Sequence, residues 1–200
     1  MCFDTKSSLI AFVLAWGIAM ILYIRNRKYD RWNGLFLATF SLIQLLEGAI
    51  WEKIEQNQST EFLTKLVLLA LLYQPLMQCF GAFKSTHKKI SLYCCYIFIA
   101  LLIYGIWRVI NSKDFLTTVG PNGHLIWQDK SSKNFLGPFG ILYLLGIFVP
   151  LFWQDDWAGI PLILVGIFTA LYSWMKTRGS EFSSYWCFTS VIYGLVCLAM

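Results

Sequence analysis

The fold is decided by the stretch Trp32–Trp51, which reads WNGLFLATFSLIQLLEGAIW. Glu47 is the only charged residue in this stretch. A helix that rises about 1.5 Å per residue needs roughly 20 apolar residues to cross the hydrocarbon core of a bilayer. The stretch is therefore predicted to be a transmembrane helix. An ionisable side chain within such a helix marks a candidate functional site, because it is costly unless it is protonated, paired or in contact with water.

The rest of the chain repeats this pattern. Of its 200 residues, 58% are hydrophobic and only 14% are charged, which is far from the composition of a soluble domain. The predicted spans are residues 7–24, 32–51, 63–83, 90–110, 136–153, 157–175 and 183–200. Because these segments use nearly the whole chain, we predict a single transmembrane domain over residues 1–200. Its fold class is an all-α polytopic bundle of about seven helices.

Basic residues concentrate in two short loops, between spans one and two and between spans three and four. By the positive-inside rule these loops face the cytoplasm, which places the N-terminus outside. The net charge of +5 is thereby explained without a nucleic-acid partner. The same loops are the predicted contacts with anionic lipids of the bilayer. Their basic residues are Arg25, Arg27, Lys28, Arg31, Lys84, Lys88 and Lys89.

The longest connection joins spans four and five and contains a turn signal. Phe115–Val119 and His124–Gln128 are rich in strand-forming residues and flank Gly120-Pro121-Asn122-Gly123. Two such runs around a Pro-Asn-Gly turn predict a short extramembrane β-hairpin. It would lie over the outer mouth of the bundle, either as a lid that uses His124 and Trp127 or as a plain surface hairpin.

Polar side chains of several spans are predicted to meet in the outer half of the bundle. Gln44 and Glu47 share one face of span two, because residues three apart are neighbours on a helix. The alternative is a cluster of interhelical hydrogen bonds, with a Glu47–Arg108 ion pair, that only sets helix register. Ser183 and Ser184 lie at the outer start of span seven, at the same level. The predicted ligand, proton or ion site comprises Glu47, Gln44, Gln74, Gln78, Arg108 and Ser173.

Signals for catalysis and for cofactors are poor. The only histidines are His87 and His124, and no span carries two metal-ligand residues at helical spacing. One carboxylate is too few for the usual acid–base pair. Span seven also has no lysine for a retinal Schiff base. We therefore predict no catalytic residue, no metal and no cofactor.

Two motifs support a resemblance. The N-terminal Met1-Cys2-Phe3 and the later Gln44-x-x-Glu47-x-x-x-Trp51 resemble an uncharacterised family of small polytopic membrane proteins from bacteria and giant DNA viruses. Its members begin Met-Cys-Phe-Ser, whereas this chain has Asp4 in place of the serine. The resemblance implies a multi-pass membrane protein and emphasises the face that carries Gln44 and Glu47, but it implies no activity.

Three function classes follow. The first is a transporter, channel or sensor for a small solute, ion or proton that uses Glu47 and Gln44. The second is a structural or assembly subunit of a larger membrane complex, with other membrane proteins or further copies of the chain as partners. The third, a membrane enzyme, would require Glu47, His124 and Cys2 to converge.

Overall fold

The computed structural model describes residues 4–112, 115–129, 140–177 and 181–200. Within them the chain is a helical bundle with one small antiparallel sheet, which confirms the predicted fold class. The first half holds α1 (Thr5–Arg25), α2 (Asp30–Glu55), α3 (Glu61–Thr86) and α4 (Lys89–Asn111). The second half holds α5 (Gly140–Phe148), a 3₁₀ turn (Val149–Trp153), a second 3₁₀ turn (Asp155–Trp157), α6 (Ile160–Thr177), α7 (Phe182–Phe188) and α8 (Ser190–Ala199).

Five of these helices, α1 to α4 and α6, are long and apolar enough to cross a membrane. Two shorter apolar segments complete the bundle, one formed by α5 with its 3₁₀ turn and one formed by α7 and α8. Residues 136–139, the beginning of the predicted fifth span, lie outside the described residues. These helical apolar segments fit an integral membrane protein.

Helix α1 begins and ends at recognisable caps. The Asp4 side chain accepts a 2.6 Å hydrogen bond from the backbone N–H of Ser7, as an N-cap residue does. Aspartate and serine cap helices about equally well, so the departure from the Met-Cys-Phe-Ser pattern leaves this role intact. At the other end Asn26 adopts a left-handed conformation with φ of 52°, which ends the helix.

Helix α2 lies at the centre of the bundle, between α1 and α3. Small side chains allow α1 to approach it closely: Ala15 and Ala19 are buried, and a Cβ added to Gly34 would lie 3.0 Å from the Ala19 carbonyl oxygen. Association inside lipid depends on such close packing, since apolar burial gives no advantage there. Helix α4 lies at the periphery, packed on α3.

The two ends of the bundle differ in chemistry. At the end that carries the loop of residues 26–29, which we call the basic end, Arg25 forms a bidentate pair with Asp30 at 2.7 and 2.8 Å. The same guanidinium donates to the carbonyl oxygens of Leu198 and Cys197 at 2.6 and 2.8 Å. Arg25 therefore fastens the last helix to the first loop.

The opposite end, the hairpin end, carries the two-stranded sheet. Strand β1 (Phe115–Val119) pairs antiparallel with β2 (Leu125–Asp129), so the predicted hairpin is confirmed. Thr117 lies opposite Trp127 in its register. The hairpin packs on the first turns of α3 and α7. It therefore covers the end of the bundle to which Glu47 is nearer.

Candidate functional site

The site is built around one face of α2. Glu47 is completely buried, with 0% of its surface exposed, and Gln44, one turn earlier, is equally buried. Trp51 follows one turn later and is 7% exposed. Residues at this spacing lie on one side of a helix, and that side faces the interior of the bundle. The sequence therefore placed these three residues on a common face correctly.

The carboxyl group of Glu47 has few polar neighbours. Neither of its oxygens has a hydrogen-bond partner of normal geometry among the described residues. The one polar group that interacts with it there is the hydroxyl of Ser184 on α7, which likewise has no hydrogen bond of normal geometry within those residues. The ion pair between Glu47 and Arg108 that the sequence allowed is therefore not formed in this part of the chain.

Gln74 and Gln78 are in a different situation, because both ends of each amide are bonded. Gln74 donates to the Phe40 carbonyl oxygen at 3.4 Å and accepts from the Tyr143 hydroxyl at 2.5 Å. Gln78 donates to the Ile147 carbonyl oxygen at 3.0 Å and accepts from Trp32 Nε1 at 3.0 Å.

These bonds join α3 to α2 and to α5, so the two glutamines act as interhelical connectors. Such satisfied polar groups define how neighbouring helices pack and need no further role.

The remaining predicted members lie apart from this face or bond within their own helix. The Ser173 hydroxyl is fully buried and donates to the Thr169 carbonyl oxygen of α6 at 2.7 Å. Arg108 lies in the last turn of α4, where basic residues interact favourably with the helix dipole. The six predicted site residues therefore do not form one cluster. Glu47 and Gln44 remain as the candidate site.

The hairpin is held in place by a carboxylate that the sequence did not single out. Glu181 is buried directly before α7, and its Oε1 accepts from the backbone N–H of Asn122 at 2.9 Å. Its Oε2 accepts from the backbone N–H of His124 at 3.0 Å. A Cβ added to Gly120 would collide with the same carboxylate. The turn therefore needs glycine at position 120, because the Glu181 carboxylate occupies the space that a side chain would take.

His124 faces inward from the turn. Its ring is 1% exposed and packs edge-on against Tyr185 of α7, with 4.7 Å between ring centroids. Burial lowers the pKa of the His124 imidazole, and the charge of Glu181 opposes that effect. His124 therefore belongs to the contact between hairpin and helix, and its role in a lid stays a prediction.

The other side of the hairpin is joined to α3. Thr64 donates its hydroxyl proton to the Thr60 carbonyl oxygen at 2.9 Å, so in the 2.6 Å contact with Thr117 it must be the acceptor. The backbone N–H of Thr117 donates in turn to the Thr60 hydroxyl at 3.3 Å. The hairpin is thus held by polar contacts at α3 and at α7.

Trp127, the second predicted lid residue, is half-buried on β2 and packs against the cluster of apolar side chains that includes Trp51. The indole N–H groups of Trp51 and Trp127 have no hydrogen-bond partner within the described residues. The hairpin end therefore carries the buried carboxyl group of Glu47, the hydroxyl of Ser184 and the two indole N–H donors, with the hairpin over them. Such a set can accept and donate hydrogen bonds to a small polar species.

Two residues of this arrangement were missing from the predicted site. Ser184 was placed at the correct level but not assigned to the site, and Glu181 was not considered. An acidic residue just before the first turn of a helix is a recognised signal, because it interacts favourably with the helix N-terminus. Cys2, which the enzyme hypothesis needs beside Glu47 and His124, lies outside the described residues.

Comparison of the chain with family models, with curated protein sequences and with solved structures gives no match. The resemblance to the Met-Cys-Phe-Ser family therefore stays a prediction. The candidate function depends on the geometry around Glu47.

Proposed function

We propose that this chain is a multi-pass membrane protein that crosses the bilayer seven times, and that it moves protons or small cations through a site centred on Glu47. The two shorter apolar segments supply the fifth and seventh crossings in chain order, and the basic end faces the cytoplasm. The hairpin end with its lid then faces outward. Gln44 and Ser184 are the polar neighbours of the carboxyl in this site.

The observation that carries the proposal is the contrast between Glu47 and the two glutamines of α3. All three side chains are fully buried in one bundle. Gln74 and Gln78 have interhelical partners, whereas neither Glu47 oxygen has a hydrogen bond of normal geometry among the described residues, and only the Ser184 hydroxyl interacts with it there. A buried carboxyl group without a well-formed hydrogen bond is costly, so a structural role explains the glutamines better than it explains Glu47.

Proton or cation exchange requires that Glu47 reach water in another conformation. The hairpin is the element suited to open that path, because it covers the end of the bundle near Glu47. Beside the apolar packing of Phe115 and Leu125, it is attached there by a small set of polar contacts among the described residues. These contacts are Glu181 with Asn122 and His124 on one side, and Thr117 with Thr60 and Thr64 on the other. Opening at α7 would also move Ser184, which lies one turn from Glu181. The lid and the polar neighbour of Glu47 would then move together.

Two carbodiimides test access to Glu47. A carbodiimide adds to a protonated carboxyl group and leaves a stable N-acylurea, which mass spectrometry locates by its added mass. With the full chain in liposomes, lipid-soluble dicyclohexylcarbodiimide is expected to label Glu47. A water-soluble carbodiimide is expected to label it slowly in the native chain and faster in Glu181→Ala, whose lid is released. Absence of labelling by both reagents at all pH values from 5 to 8 would contradict the proposal.

Flux provides the second test. Liposomes that contain the protein and an entrapped pH dye are exposed to a pH step, with and without potassium and valinomycin. We expect faster equilibration than in empty liposomes, and loss of the added rate in Glu47→Gln. Ser173→Ala is the matched control, since that buried hydroxyl bonds only to its own helix and should leave the rate unchanged.

Equal rates in native protein and Glu47→Gln would exclude transport through Glu47. If carbodiimide labelling still depended on pH, the site would be that of a sensor. If neither labelling nor flux depended on Glu47, the structural or assembly role would be the better explanation.

A further inference from the structure

A groove of about 280 Å³ lies at the basic end, between α1, α2 and α3, far from Glu47. Its walls are mainly apolar and include Met20, Leu35 and Phe80. From Arg31 at its mouth to Ala38 it follows α2 for two turns, about 10 Å at 1.5 Å per residue. The groove thus runs from the edge of the bundle towards its middle, in the direction of a lipid chain.

Two cations stand at the mouth of the groove. Arg31 lies over the Tyr23 ring, 5.1 Å from its centroid, and Lys84 lies over the Phe80 ring at 5.7 Å. Neither forms a salt bridge within the described part of the chain. The Ser85 hydroxyl lines the same mouth. An arginine, a lysine and a hydroxyl group together make a donor set that suits a phosphate group.

Four other basic residues at this end contact oxygen atoms of the chain. Arg25 is paired with Asp30, and Lys28 lies 3.3 Å from Asp155. Arg27 and Lys88 donate to the carbonyl oxygens of Met200 and Trp153. Arg31 and Lys84 are thus the two basic residues of this end that line an apolar groove and have no acidic partner among the described residues.

We infer that this groove binds one anionic phospholipid of the bilayer. The phosphate group contacts Arg31, Lys84 and Ser85, and one acyl chain lies along Met20, Leu35 and Phe80. Charge complementarity at the mouth selects an anionic headgroup, because each nearby basic residue favours anionic over neutral lipid. The apolar walls distinguish this site from a simple anion site. The site is independent of the proposed role of Glu47.

The test uses the full chain in detergent micelles with added phosphatidylglycerol, and native mass spectrometry counts the bound lipid. The native chain is expected to retain one phosphatidylglycerol more tightly than the others. Arg31→Gln/Lys84→Gln should weaken that binding about 30-fold, since two nearby cations each supply about a fivefold preference. Lys88→Gln/Lys89→Gln removes the same charge at the same end, outside the groove, and should bind like the native chain.

Three further measurements separate the alternatives. Ala38→Phe, which fills the groove and keeps both cations, should also lose the tight lipid. Equal retention of phosphatidylcholine with the same acyl chains would overturn the inference in favour of bulk lipid. Equally tight binding of glycerol 3-phosphate would overturn it in favour of a phosphate site without a chain. Equal loss in the two double variants would show a diffuse charge effect and would likewise overturn it.

Discussion

The backbone N–H of His124 donates a 3.0 Å hydrogen bond to Oε2 of Glu181, 57 residues further along the chain. The second oxygen of the same carboxylate accepts from the backbone N–H of Asn122 at 2.9 Å. Glu181 stands directly before α7, and Ser184 lies in the first turn of that helix. One side chain thus joins the cover of the bundle to the helix that faces Glu47.

Replacement of Glu181 tests this attachment. Glu181→Ala leaves the N–H groups of Asn122 and His124 without their acceptor and should lower the free energy of hairpin opening by about 2–4 kcal/mol. Glu181→Gln retains one oxygen acceptor and should have a smaller effect. Amide hydrogen exchange of β1 and β2 measures both changes. Unchanged exchange in the alanine variant would show that the hairpin is held by other contacts.

The pH dependence of the hairpin follows from His124. Burial lowers the pKa of its imidazole below the usual 6.5, so the docked hairpin favours the neutral ring. A group whose pKa is lower in the folded state contributes stability above its unfolded pKa and loses it as the pH falls below that value. We expect the hairpin to open more readily at pH 5 than at pH 7.5, measured as exchange corrected for the intrinsic rate.

His124→Gln is the control for this dependence. It retains the backbone N–H that donates to Glu181 and removes the only titratable side chain of residues 120–124. The difference between the two pH values should disappear in this variant. If it persists, another titrating group controls the hairpin.

A comparison of Gln78→Leu with Glu47→Gln distinguishes a residue that connects helices from a residue that forms a chemical site. Gln78→Leu leaves Trp32 Nε1 and the Ile147 carbonyl oxygen without partners, which should cost about 1–3 kcal/mol. Glu47→Gln replaces a carboxyl that makes no hydrogen bond of normal geometry among the described residues, so stability should be unchanged or higher. Unfolding in detergent, followed by circular dichroism, measures both. A similar loss in both variants would assign Glu47 to packing.

Arg25→Gln tests the connection at the basic end. The variant loses the bidentate contact with Asp30 and the bonds to the carbonyl oxygens that end α8. A partly buried, charge-assisted network of this kind should cost about 2–4 kcal/mol and increase hydrogen exchange in α8. Arg27→Gln is the matched control, because the Arg27 side chain makes a single exposed hydrogen bond of 3.4 Å, to the Met200 carbonyl oxygen, among the described residues. Equal effects of the two variants would contradict the proposed connection.

The elements of the fold were predictable because each depends on local sequence. Uncharged runs of about 20 residues predict helices, and Pro-Asn-Gly between strand-forming runs predicts the hairpin. Helical spacing likewise placed Gln44 and Glu47 on one face. These inferences needed no knowledge of how separate helices pack.

The partners of the polar residues could not be predicted in the same way. The order and direction of the spans predict the depth of a side chain in the bundle but not its lateral position. Arg108 lies at a depth that suits Glu47, so the sequence allowed an ion pair between them. Whether Gln78 is bonded depends on the rotation of α5, which brings the Ile147 carbonyl oxygen to it. The attachment of the hairpin by Glu181 depends on the approach of two segments that are distant in sequence.

Thr189, between α7 and α8, divides the last apolar segment into two short helices. Its N–H bonds to the Trp186 carbonyl oxygen at 2.9 Å, three residues back, and its hydroxyl donates to the same oxygen at 2.6 Å. The regular spacing of helical bonds changes at this residue. Above it, α7 carries Glu181 and Ser184, whereas below it α8 is fastened by Arg25. Thr189 thus separates a helix attached to the hairpin from a helix attached to the basic end, so the two parts of the last segment can shift independently of each other.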